Sequence, residues 1–155
     1  MNHAPLALIA EDEPLLARTL ARLLAAAWPG LRLADVAEDG EAATTQALAL
    51  LPDVLFLDIR MPGRSGLEVA EVVSDEWPED RPAPLLVFIT AHDEFAVSAF
   101  ERAAVDYVLK PVTPERLAVT AARLRVRLAD RAPAGPGDAP APGGRGPGPG
   151  RRGPA

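Results

Sequence analysis

The amino-acid sequence predicts an α/β fold built on a doubly wound, five-stranded parallel sheet. Short apolar segments alternate five times with longer segments whose apolar residues recur at helical spacing. Such alternation is typical of a parallel sheet with helices on both faces. The run Val54–Leu57 is apolar throughout, as expected for a strand whose two faces are both buried.

The first two strand and helix pairs have clear boundaries in the sequence. Leu6–Ala10 is a short apolar strand, and Pro14 opens the helix behind it, at a position that proline favours. Pro29–Gly30 ends this helix. Leu31–Ala37 is predicted as the second strand, and Asp39–Gly40 turns the chain into a helix rich in Ala and Leu.

The middle of the chain repeats this arrangement. Asp53–Asp58 is the third predicted strand, and a loop at Arg60–Ser65 follows it. The third helix carries an apolar stripe that ends at Trp77. The proline-rich connection Pro78–Pro84 leads to the fourth strand, Leu85–Thr90.

The last strand lies between two helices. Asp93–Arg102 is predicted as a short fourth helix, and the fifth strand is Val105–Leu109. Thr113 caps the fifth helix, and Glu115 lies in its first turn, where the helix dipole favours an acid. Four residues of the fourth helix are expected to face inward: Ala96, Ala99, Phe100 and Ala103.

Composition divides the chain into a folded domain, residues 1–131, and a disordered tail or linker, residues 132–155. Of the 24 tail residues, 15 are Pro or Gly, so the tail has too few apolar side chains to form a core. The tail carries three Arg and one Asp, whereas the whole chain has a net charge of −6. The folded domain is therefore acidic, which disfavours general binding to nucleic acid and is compatible with binding a divalent cation.

Other classes of protein are disfavoured by composition. The chain has no cysteine, which excludes a disulfide or a thiolate metal site and suits a reducing cytoplasm. Neither a signal peptide nor a membrane span is expected, because the apolar stretches are only as long as strands.

Several predicted strands end in polar residues, and in parallel sheets those ends meet at one edge. Asp58 can act as a nucleophile, because a carboxylate attacks phosphoryl groups to give an aspartyl phosphate. Each group alone also has an ordinary structural explanation, such as a solvated turn, a cap or a strand residue. Together they favour phosphoryl transfer to Asp58. The converging groups are Glu11, Asp12, Asp58, Thr90 and Lys110.

The acids at this edge favour a metal ion. Two like charges 4 Å apart repel by roughly 4 kcal/mol at an effective dielectric constant near 20. Magnesium relieves such repulsion, since it binds a few carboxylates and keeps several waters.

From about Pro5 to Asp130 the chain resembles the CheY-like receiver domain of bacterial response regulators. The segment Phe88–Glu101, with Asp106–Pro111, is similar to the subgroup whose output domain is of the LytTR type (LytR/AlgR-type regulators). Glu11 stands where the family commonly has Asp. The motifs that carry the resemblance are Glu11–Pro14, Leu57–Pro62 with Gly66, Thr90–Ala91 and Tyr107–Pro111.

The resemblance implies the flavodoxin-like strand order 2-1-3-4-5 and a role for each matched residue. Asp58 would accept a phosphoryl group from a sensor histidine kinase. Thr90 and Lys110 would contact the phosphoryl oxygens, Tyr107 would be the switch aromatic, and the Lys110–Pro111 bond would be cis. The implied ligands of Mg²⁺ (or Mn²⁺) are Glu11, Asp12, Asp58 and the backbone carbonyl of Arg60.

The resemblance also implies partners and a location. The protein would be a cytoplasmic, bacterial phosphoacceptor switch that controls transcription and assists its own phosphorylation and dephosphorylation, not a dedicated enzyme. It would form a homodimer through the fourth helix, fifth strand and fifth helix. It would contact DNA only through an output domain, which this chain lacks, and no membrane.

Three alternatives remain open. The chain could be an interaction module that works without phosphorylation. It could be a metal-dependent phosphohydrolase with Asp58 as nucleophile, although Arg60 stands where such enzymes carry a second acid. The Arg-containing tail could also bind nucleic acid.

Overall fold

A computed structural model describes residues 4–131 as a sheet of five parallel strands in the order β2-β1-β3-β4-β5, with five helices. The predicted fold class and strand order are confirmed. The strands are β1 (Leu6–Ala10), β2 (Arg32–Leu33), β3 (Val54–Leu57), β4 (Leu85–Thr90) and β5 (Asp106–Leu109). The helices are α1 (Pro14–Ala27), α2 (Gly40–Leu50), α3 (Gly66–Glu76), α4 (Ala96–Glu101) and α5 (Pro114–Arg131).

The register of the central strands brings their carboxyl ends together. Ala10 of β1 pairs with Leu57 of β3, and Thr90 of β4 pairs with Leu109 of β5. Leu8, Leu57 and Phe88 are fully buried, and they pack in one cluster with residues of α2, α3 and α4 on one face of the sheet. The residues that follow each strand are therefore held on a rigid, buried frame.

β2 is shorter than the predicted strand Leu31–Ala37. It pairs with β1 over two residues, and Ala37 then forms a separate bridge with Ala10. The amide of Ala34 bonds to the carbonyl of Ala7, and that of Ala37 bonds to Ile9. Three residues thus advance opposite two residues of β1, and the extra residue interrupts the regular ladder.

The predicted inward face of α4 is wrong at Phe100 and Ala103. Phe100 has 55% of its surface exposed, and Ala103 is exposed beyond the end of the helix, with φ at 63°. Ala99 is the buried residue of α4, and Phe95, just before the helix, packs against the core. Phe100 follows Ala99 and so points about 100° away from it around the helix.

The chain divides into one compact unit, Met1–Leu124, and a second, Arg125–Ala155. Of the second unit the structure describes residues 125–131, which form the end of α5. The predicted tail, residues 132–155, lies outside the described residues, so its disorder and the boundary at residue 131 stay predictions. None of the helices described between residues 4 and 131 is long and apolar enough to span a membrane.

Candidate phosphoacceptor site

Three carboxylates meet at the ends of the paired strands β1 and β3. Glu11 and Asp12 follow β1, and Asp58 follows β3. One carboxylate oxygen of each residue lies within 4.8 Å of those of the other two. Glu11 is 4% and Asp58 is 7% exposed, while Asp12 is half-buried. This set of oxygen ligands, partly open to solvent, suits a hard divalent cation such as Mg²⁺.

Lys110, which follows β5, joins two of these acids. Its Nζ donates to Glu11 Oε1 at 2.6 Å and to Asp58 Oδ2 at 2.9 Å. Burial alone lowers the pKa of Lys110, but the bonds to the two carboxylates outweigh burial and raise the pKa above its usual value. Lys110 is therefore a fixed positive charge beside Asp58. The peptide bond between Lys110 and Pro111 is cis.

The carboxyl of Glu11 has a raised pKa. Burial raises the pKa of its carboxyl, and the negative charge of Asp58 raises it further. The bonds from Lys110 and from the Glu13 amide, which lies 3.2 Å from Glu11 Oε2, act in the opposite direction, but the net pKa is raised. The bond from the Lys110 ammonium thus does not offset the burial of Glu11.

The loop after β3 packs closely against Asp58. The amide of Gly66, the first residue of α3, donates to the carbonyl of Ile59 at 2.8 Å. A Cβ atom added at Gly66 would lie 2.1 Å from the carbonyl oxygen of Asp58. Glycine is therefore required at this position for steric reasons, and its neighbour Ser65 starts α3 with a capping box.

The predicted ligand Arg60 lies in the same loop. Its guanidinium is 3.7 Å from the carboxylate of Glu94 and 5.4 Å from the centre of the Phe95 ring. The side chain thus joins the loop after β3 to the loop after β4. The role of its backbone carbonyl as a metal ligand stays a prediction.

Thr90 and Tyr107 are linked through the backbone of His92. Thr90 is fully buried at the end of β4, and its hydroxyl oxygen accepts a hydrogen bond from the amide of His92 at 3.4 Å. The hydroxyl of Tyr107, on β5, donates to the carbonyl of His92. Tyr107 is half-buried, and burial raises the pKa of its hydroxyl. Two of the predicted residues, Thr90 and Tyr107, are therefore bonded to the backbone of the same loop residue.

Sequence reasoning missed a second cluster on β5. Asp106 is 3% exposed and accepts two bonds from the Arg116 guanidinium, at 2.7 and 2.9 Å. Thr120 and Arg123 also contact its carboxylate. Arg116 lies on α5 among several other arginines, and its guanidinium turns to Asp106 on β5. A carboxylate between apolar residues of the predicted fifth strand, Val105–Leu109, was the available signal, since such a group requires donors when it is buried.

Comparison with models of protein families matches residues 7–122 to the response regulator receiver domain. The chain belongs to the response regulator receiver family. In the relatives, the matching region is part of a longer protein, and this receiver spans about half the length of the curated relatives that it matches.

Two curated relatives are response regulators by name. An uncharacterised response regulatory protein of Vibrio cholerae is 48% identical over 128 residues, which cover 83% of this chain and 48% of that protein. The positive alginate biosynthesis regulatory protein of Pseudomonas aeruginosa is 46% identical over 111 residues, which cover 72% of this chain and 43% of that protein.

A solved receiver has the same fold. The response regulator protein TrrA from Thermotoga maritima, in complex with Mg²⁺ and BeF, superposes with a TM-score of 0.66 at 30% identity. The match covers 77% of this chain and 98% of that one.

Proposed function

We propose that this receiver accepts a phosphoryl group on Asp58 from a sensor histidine kinase in a bacterial cytoplasm, and that phosphorylation changes its partner-binding surface. The observation that carries the proposal is the contact of Lys110 with both Asp58 and Glu11, next to Asp12. A nucleophilic carboxylate, a fixed cation and further acids then lie in one place.

The residues of the receiver divide the work of transfer. A carboxylate oxygen of Asp58 attacks the phosphorus of a phosphohistidine and the P–N bond breaks. The histidine ring, protonated on its other nitrogen, takes the electron pair and leaves as neutral imidazole. Lys110 offsets the charge of the transferred group, and the hydroxyl of Thr90 donates to one of its oxygens. Water later cleaves the aspartyl phosphate and returns Asp58 to its free form.

The acids of this site are suited to hold Mg²⁺, the ion that receiver domains generally use. Glu11, Asp12 and Asp58 would be its side-chain ligands, and the carbonyl of Arg60 would be a backbone ligand. When bound, the ion neutralises charge between Asp58 and the incoming phosphoryl group. Burial is the main cause of the raised pKa of Glu11, and the negative charge of Asp58 adds to it; a cation bound among the acids would oppose both effects.

Phosphate labelling tests the proposal. The parent receiver, incubated with Mg²⁺ and a small phosphodonor, should gain one phosphate that is stable in acid and released by base. Asp58→Asn should abolish the label, whereas Asp75→Asn, at an exposed position on α3, should keep it. Equal labelling of Asp58→Asn and the parent would refute the proposal. Multiple turnover on a phosphomonoester would instead favour a phosphohydrolase.

We further propose that phosphorylation promotes a homodimer through α4, β5 and α5, for control of transcription by an output domain. Exposed apolar side chains support this surface: Val97 is 72% exposed, and Phe100 and Leu109 are also exposed. Sedimentation of the phosphorylated receiver should detect a dimer that Phe100→Ser weakens. Leu15→Ser, on α1, is the control, because Leu15 lies outside this surface and is 68% exposed, against 55% for Phe100.

A further inference from the structure

A closed polar cluster joins β5 to α5. We call it the β5–α5 cluster, and its members are Asp106, Arg116, Thr120 and Arg123. The two Arg116 nitrogens lie 2.7 and 2.9 Å from the Asp106 oxygens, and the Thr120 hydroxyl donates to Oδ2 at 2.7 Å. Arg123 Nη1 lies 3.0 Å from Oδ1. Asp106 and Thr120 are buried, whereas the side chains of Arg116 and Arg123 are 36% and 53% exposed, so the bonds hold α5 to the edge strand at the border between core and solvent.

The cluster also contacts the backbone of Tyr107. The Tyr107 amide donates to Asp106 Oδ1 at 2.9 Å, and Arg116 Nη2 donates to the Tyr107 carbonyl at 3.4 Å. The hydroxyl of the same tyrosine donates to the carbonyl of His92, whose amide bonds to the Thr90 hydroxyl. A continuous series of polar contacts therefore runs from α5 to the end of β4, and Tyr107 stands in the middle of it.

We propose that the Asp106–Arg116 pair is a positioning element that fixes Tyr107 relative to Thr90 and so couples α5 to the state of Asp58. The inference rests on the proposed function, because it assigns the means by which phosphorylation reaches one helix of the output surface. Neither residue of the pair is hydrogen-bonded to Asp58, so the pair would act through Tyr107.

The pair fits a positioning role better than a purely stabilising one. Asp106 is desolvated and the Arg116 side chain is 36% exposed, so desolvation of the acid and solvent screening of the arginine both reduce the electrostatic attraction of the pair, which is therefore weak evidence for stability. The planar guanidinium of Arg116, by contrast, defines both a direction and a distance, because it binds Asp106 through two nitrogens and the Tyr107 carbonyl through one of them. Loss of these bonds leaves the backbone at Tyr107 with fewer restraints.

The coupling must work in both directions. If the state of Asp58 changes the arrangement of Tyr107 and α5, a change in α5 alters the site by the same free energy. A variant without the pair should respond less to a phosphoryl analogue at Tyr107, even though Asp58 still binds the analogue.

The chain carries a direct probe of this coupling, because Tyr107 is its one tyrosine. The full chain is labelled with 3-fluorotyrosine, and its ¹⁹F NMR resonance is recorded before and after addition of beryllium fluoride with Mg²⁺. The variants are Arg116→Gln and the control Arg22→Gln, at an exposed position on α1. The expected result is a shift in the parent and the control that falls to less than half in Arg116→Gln.

Two failures are distinguishable. If the parent resonance does not move, the proposed switch is wrong and the coupling falls with it. If the parent responds and Arg116→Gln responds equally, only the positioning role is overturned, and the pair is structural. Thermal unfolding of each variant checks that it folds. Arg116→Lys, which keeps the charge but not the planar fork, gives a second test, and its response should lie between those of the parent and Arg116→Gln.

Discussion

Two buried carboxylates at the ends of the same sheet behave in opposite ways. Glu11 and Asp106 are 4% and 3% exposed, and burial raises the pKa of both. At Asp106 the bonds from Arg116, Thr120 and the Tyr107 amide outweigh burial, so its pKa lies below the usual value. At Glu11 the bonds from Lys110 and from the Glu13 amide do not outweigh burial, so its pKa is raised.

The difference lies in the balance of charge around each group. Glu11 shares one ammonium, that of Lys110, with Asp58, and Asp12 stands beside them. Asp106 contacts two guanidinium groups, those of Arg116 and Arg123. In the β5–α5 cluster one carboxylate contacts two guanidinium groups, whereas in the acidic site three carboxylates lie near one ammonium. A surplus of acid at a strand end is what a phosphoacceptor requires, because a cation can then join it.

The largest expected effect comes from removing the cation of the acidic site. Lys110→Met leaves two buried carboxylates without their ammonium and should lower the free energy of unfolding by about 3 kcal/mol without divalent ions. Urea unfolding measures the loss. Arg116→Met is the comparison, and it should cost less, because Arg123 still contacts Asp106. An equal or larger loss in Arg116→Met would contradict the difference between the two clusters.

A steric change tests the acidic site separately. Gly66→Ala places a methyl group against the Asp58 carbonyl and should cost about 2 kcal/mol, because the backbone must move. Gly30→Ala is the control, since a Cβ at Gly30 would meet no atom within 4 Å, and it should stay within about 0.5 kcal/mol of the parent. Urea unfolding compares the two. Equal stability of both variants would show that the loop adjusts freely.

Magnesium should stabilise the receiver through the acidic site alone. At a free concentration ten times its Kd, it should add about 1.4 kcal/mol to the free energy of unfolding. Asp12→Asn should weaken this response, whereas Asp75→Asn should retain it. Thermal unfolding across a magnesium titration measures both. A full response in Asp12→Asn would exclude Asp12 as a ligand.

Lowering the pH should reduce the contribution of Asp106 to stability, and this is the smallest of the expected effects. Because the pKa of Asp106 is lowered in the folded state, its ionised form stabilises the protein above the unfolded pKa, near about 3.9. That contribution is lost as the pH falls through the lowered folded pKa. The stability difference between the parent and Asp106→Asn should therefore shrink below about pH 4. A difference at pH 3 as large as that at pH 7 in urea unfolding would contradict this origin.

Local patterns in the sequence determined most of the frame. The boundaries of β1 and β4 were predicted to the residue, those of β3 to within one residue at each end, and those of β5 to within one residue at its start. Such boundaries follow from runs of apolar side chains and from Pro and Gly, which act over a few residues. The strand ends then predicted that Glu11, Asp58 and Lys110 would meet, because parallel strands share one edge.

Tertiary packing decided what the local pattern could not specify. Phe100 has an apolar side chain of the kind usually found in a core, yet it is exposed because α4 has only six residues and buries only Ala99. Arg116 lies on a helix with several other arginines, and only the position of α5 against β5 brings it to Asp106. Hydrogen bonds between side chains depend on distances of a few ångström, which are fixed only when the elements pack. The sequence thus determined which groups reach the rim of the sheet, and the folded structure decided which charges are balanced.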